Sequence, residues 1–160
     1  LMVPAGDARF PVGEHLIELR VGDGVNAPVG SFVTVLVVDT TAPSLRPVPS
    51  RTMLWPPNHE LVEVTIQANA FDNGGGAISL ACEVTSSESP SGVGDGDTEQ
   101  DYYIDSVDDL TGLIKLRLRA ERSGKGDGRI YQILIVAVDE LGNQSQATVE
   151  VRAPHDKRKM

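Results

Sequence analysis

The sequence predicts an all-β chain folded as an antiparallel β-sandwich. Three observations carry that prediction. Apolar and polar residues alternate with period two, most clearly through residues 113–122, the signature of a half-buried strand. The 16 glycines and 10 prolines fall between short apolar runs, where turns would reverse the chain. No stretch holds a 3.6-residue apolar period. With aromatics at only 4%, the core must be built from Val, Leu and Ile.

Taken from the start, Phe10-Pro11-Val12-Gly13 is a turn signal. A strand over 15–21, a turn-rich loop over 23–30 and a strand over 32–38 follow. Pro43, Pro47 and Pro49 then make a stiff segment poor in ladder donors. Seven further strands are expected over 51–55, 60–70, 77–86, 101–105, 112–122, 129–138 and 144–152. Seven short strands in about 110 residues is the count of an immunoglobulin-like sandwich. The stretch 113–154 is expected to form a three-strand meander that the other strands complete. Within it, 129–138 is apolar on both faces and its neighbours have one wet face.

The first hairpin echoes the last. Ile17, Leu19, Val21 and Asp23 align with Ile133, Ile135, Ala137 and Asp139, and Val33, Val35 and Val37 with Ala147, Val149 and Val151. The chain is therefore expected to hold the closing hairpin of one module (1–39), a Pro-rich linker (40–50), a whole similar module (51–154) and a polar tail (155–160). Two strands alone are not a stable unit. The hairpin is expected to lean on the second module, to pair with another molecule, or to be the remnant of a truncated one. Its open edge makes a strand-swapped dimer an expected partner arrangement.

The net charge of −9 disfavours binding to nucleic-acid phosphates, which takes a basic face. No apolar run reaches the length of a membrane span. No basic-then-apolar leader stands at the start, and the opening Leu1 is read as the start of a processed or excised piece. The single Cys82 allows neither an intrachain disulfide nor a cysteine zinc cluster. Between Ala81 and Val84 it reads as a small core residue.

Several motifs bring a family into view. Phe10-Pro11-Val12-Gly13 through Asp39-Thr40-Thr41-Ala42-Pro43 resembles the tail of a hyalin-repeat or PKD-like module. Leu54-Trp55-Pro56-Pro57-Asn58-His59, Phe71-Asp72-Asn73-Gly74-Gly75, Gly94-Asp95-Gly96-Asp97-Thr98, Leu118-Arg119-Ala120-Glu121-Arg122-Ser123-Gly124 and Asp139-Glu140-Leu141-Gly142-Asn143 resemble the tandem immunoglobulin-like modules of bacterial secreted and cell-surface proteins. The resemblance implies a non-catalytic structural or adhesion role beside neighbouring modules, or an accessory module of a secreted hydrolase. Some relatives carry a cysteine after the Asp-Asn pair. Gly74 stands there in this chain, so no disulfide carries over.

Carboxylate pairs of the kind glycosidases use abound in the sequence. A small sandwich without a large concave insertion nonetheless makes a poor active site, and no enzyme is expected. His59-Glu60-Leu61-Val62-Glu63 opens like a zincin helix but lacks the second histidine, and neither a Gly-x-Ser-x-Gly elbow nor a P-loop occurs. Calcium is the sharper expectation, because acidic loops supply the hard oxygen ligands it takes. Asp95, Asp97, Glu99 and Asp101 alternate like the start of an EF-hand loop. Gln100 and Ser106, however, replace the glycine and bidentate glutamate that the loop requires. The predicted topology gathers Asp72 and Asn73, then Asp105, Asp108 and Asp109, then Asp139 and Asn143 at one end, with Asp39 arriving on the linker. Asp95, Asp97, Glu99, Asp127 and Asp156 go to the other end. All these residues also cap turns, and both readings stand. Trp55, with Arg117 and Arg119, is the expected surface for a glycan or protein ligand. Against that, Trp55 reads as a plug over the core, and the row Arg117, Arg119, Glu121 and Arg122 as a solvated face.

Overall fold

The computed structural model describes residues 10–89 and 100–156. The chain divides into two compact units, Leu1–Thr41 and Ala42–Met160. Every regular element among the described residues is a β-strand, and all the sheets are antiparallel.

The first unit contains one hairpin, β1 (Gly13–Val21) with β2 (Val29–Val37), in register from Gly13 opposite Val37 to Val21 opposite Val29. Its loop is fixed by Asp23, whose Oδ1 accepts the Val25 and Asn26 amides at 2.9 and 2.7 Å. Those bonds, led by the one from Asn26, pull the Asp23 carboxyl down to about 2. The pairing puts Ile17, Leu19, Val21, Val29, Val33, Val35 and Val37 on one face. Much of that face is bare, with Leu19, Val21, Val29 and Val33 all exposed.

The second unit has two sheets. One runs β3-β4-β7-β6, with β3 Val48–Pro49, β4 Leu61–Gln67, β6 Tyr102–Asp108 and β7 Leu113–Arg119. The other runs β5-β8-β9, with β5 Ser79–Ser86, β8 Gly128–Val138 and β9 Gln144–Pro154. Val64, Ile66, Ile114, Leu116 and Leu118 of the first sheet share one core with Val84, Tyr131, Ile133, Ile135, Val149 and Val151 of the second. This is the sandwich arrangement, and each fully buried aliphatic side chain contributes about 1.5–3 kcal/mol to it. Cys82 packs at the core margin, where burial raises its thiol pKa to about 11.

Two expectations are corrected. The stretch 113–154 is not one meander, because β7 and β8 lie in different sheets. Ile114, Leu116 and Leu118 and the in-phase Tyr131, Ile133 and Ile135 each need an apolar partner face. Crossing between sheets lets them cover one another. The strand expected over 51–55 is also replaced. Val48–Pro49 pairs with β4, while Thr52–Leu54 runs beside β9 in parallel, bridged at Met53 and Arg152. Arg152 N donates to Thr52 O at 2.9 Å and Leu54 N to Arg152 O at 2.8 Å.

Candidate functional site

Asp139 closes β8, and its turn is built on its own carboxylate. Oδ1 accepts the Leu141 and Asn143 amides at 2.9 and 2.8 Å, and Oδ2 accepts Asn143 Nδ2 at 2.8 Å. Asn143 foremost, then the backbone amides, hold the Asp139 carboxyl below the usual range. Gly142 supplies the positive φ of 87° that the turn needs.

Asp72 is positioned from the other side of the unit's loop end. Phe71 exchanges both backbone hydrogen bonds with Ser44, at 2.7 and 2.9 Å, which fixes the chain just before Asp72. Asp72 is 9% exposed, and among the described residues neither carboxylate oxygen has a hydrogen-bond partner. Asp72 and Asp139 each present a carboxylate oxygen, the two within 4.8 Å of one another. Asn73, beside Asp72, is exposed.

The other acids expected at this end do turn and strand work. Asp109 Oδ1 accepts the Leu80 amide at 2.8 Å, and Asp108 Oδ1 accepts those of Leu110 and Thr111. Asp105 occupies the irregularity between Ile104 and Ser106 in the β6–β7 register. From there it grips Arg117, with Nη2 donating to Oδ1 at 2.7 Å and Nε to Oδ2 at 2.8 Å. Asp39 belongs to the first unit, where Oδ1 accepts the Thr41 amide at 2.9 Å.

Of the acids expected at the opposite end, Asp95, Asp97 and Glu99 lie outside the described residues. Asp101 is not an open loop ligand. It is 3% exposed and ion-paired with Arg129. Arg129 opens β8 in phase with Tyr131, Ile133 and Ile135, so period two carries its side chain to the core side, fully buried. Glu121, also fully buried, brings Oε1 to 3.8 Å from Arg129 Nη2, and its Oε2 lies 2.8 Å from His59 Nδ1. Glu88 Oε2 stands 3.4 Å from Arg129 Nε. Tyr131 Oη lies 2.9 Å from Arg119 O and 3.3 Å from Asp101 O. Desolvation raises the Tyr131 pKa to about 12 and raises that of Asp101, against the pull of Arg129.

This cluster overturns the reading of Glu121 as part of a solvated face. Strand β7 ends at Arg119, so alternation stops there and both Ala120 and Glu121 turn inward. Nothing in the local sequence separates the buried Glu121, or the half-buried Glu88, from surface acids. Arg129 did leave a signal: it shares the parity of Tyr131, Ile133 and Ile135.

The expected ligand face is largely occupied by its own neighbours. Arg117 is held by Asp105 and stacks over the Tyr103 ring at 4.6 Å. Arg119 donates to His59 O at 2.8 Å and Gln100 O at 3.0 Å. Trp55 is 41% exposed, and it is Leu54, 1% exposed, that fills the core. Neither a family model nor a curated protein sequence matches the chain. Among the described residues, no helix is long and apolar enough to cross a membrane.

Proposed function

We propose that the chain is a non-catalytic, immunoglobulin-like structural and adhesion module of a secreted or cell-surface multidomain protein, made to carry tension between neighbouring modules. One observation carries this reading: Thr52–Leu54 runs parallel to β9 and hydrogen-bonds to Arg152. One partner lies near the start of the second unit and the other at its closing strand. Tension on the chain ends would slide two parallel partners past each other, so their bonds and the core beside Leu54 must yield together. An antiparallel hairpin pulled from its two ends opens one bond at a time. The buried carboxylates Asp101 and Glu121 fit a structural role, because both are paired with Arg129 inside the core rather than presented to a substrate.

Pulling the whole chain by its ends in a force microscope tests the reading. The expected trace shows a high-force rupture for the second unit. Arg152→Pro should lower that force, since it removes the donor to Thr52 while the side chain is exposed (60%). An unchanged force in the variant would exclude the parallel pair as the load-bearing element. The exposed Trp55 favours a second reading, a glycan- or protein-binding accessory module. A shift of Trp55 fluorescence on adding oligosaccharides would support it.

A further inference from the structure

We propose that Asp72 and Asp139 of the second unit are ligands of a calcium ion. Two independent features point there. Two carboxylates present oxygens within 4.8 Å of one another, a separation that one calcium ion spans with its bonds of about 2.3–2.6 Å. Separately, the Asp72 side chain is buried with both oxygens unpartnered, although buried carboxylates are otherwise paired or metal-bound. The contrast with Asp139 sharpens this point. Asp139 already has three donors fixing it in its charged form and aiming it. Asp72 has none, so it is the group whose burial still lacks a counter-charge.

The donor chemistry selects the ion. Every ligand on offer is a hard oxygen, and neither His nor Cys takes part, which disfavours zinc and copper. Two carboxylates leave the remaining positions to carbonyls and water, the loose, irregular shell that calcium accepts and magnesium resists. So few charges predict weak binding, of the order of the 10⁻⁴–10⁻³ M seen in extracellular modules. The proposal stands apart from the tension-bearing reading, because force traces taken in chelator test one and calcium melts test the other.

The test is a thermal melt of the full chain followed by the fluorescence of Trp55, the single tryptophan and a reporter for the second unit. Calcium above its Kd should raise the melting temperature by about 5 °C per tenfold step. Asp72→Asn should abolish that rise. In chelator the same variant should melt higher than the native chain, because it removes an uncompensated buried charge and gives up no hydrogen bond. That crossing of signs is what a merely structural aspartate would not produce. A native chain indifferent to calcium at 10 mM, about ten times the weakest expected Kd, would overturn the proposal. So would an Asp72→Asn chain that keeps the full rise, which would place the ion elsewhere. An equal rise with magnesium would overturn the choice of calcium.

Discussion

The two ends of strand β8 bury acid in opposite ways. At its start, Asp101 and Glu121 sit against the fully buried Arg129, and the counter-charge is part of the chain. At its far end, ten residues on, Asp72 and Asp139 bring carboxylate oxygens within 4.8 Å of one another, and Asp72 has no donor among the described residues. A carboxylate taken out of water needs compensation in either case. The first end answers with an arginine locked in the core, which makes the cluster permanent. The second has no such arginine beside Asp72 among the described residues, and under the calcium proposal its compensation would come from solution.

Removing the internal counter-charge should be the most damaging change. Arg129→Met leaves two buried carboxylates unbalanced and is expected to cost about 3–5 kcal/mol, read as a drop in urea midpoint by Trp55 fluorescence. Adding Asp101→Asn and Glu121→Gln should recover part of that loss. A triple variant no better than the single would show that the arginine acts by packing alone.

The two hairpins supply the next contrast. Ile135 is fully buried, whereas its counterpart Leu19 is 64% exposed. Ile135→Ala should cost about 2–5 kcal/mol, and Leu19→Ala no more than about 0.5 kcal/mol. Comparable losses, measured by urea unfolding with circular dichroism, would mean that the hairpin face is covered in solution.

Acid titration separates the ends by sign, with the smallest effect. Asp139 has a lowered pKa, so its contribution is present above the unfolded value of 3.8 and is lost as pH falls through the folded one. Asp101 has a raised pKa. Between 3.8 and that raised value the native state holds more protons, so its contribution improves as pH falls. Asp139→Asn should therefore flatten the loss of stability below about pH 4, and Asp101→Asn should steepen the pH dependence above 3.8, where the raised pKa of the native carboxyl otherwise adds stability as pH falls. Urea midpoints taken from pH 7 to pH 3 check both slopes, and identical slopes would remove the distinction.

The sequence by itself determined the long strands, though not the short β3, because alternation at residues such as Leu116, Leu118, Val149 and Val151 answers to the pleat of a single strand. It also determined that Asp72 and Asp139 fall in turns, since Gly74 and Gly142 mark where the chain reverses. Only the tertiary structure decided which strands share a sheet, and so split β7 from β8, because the same apolar face can be covered by either layer. It alone decided which acids are buried. Asp101 and Glu121 resemble surface acids locally, and the core placement of Arg129 and the end of β7 at Arg119 are what draw them inside. Burial of a charge depends on a partner distant in sequence, which local pattern does not encode.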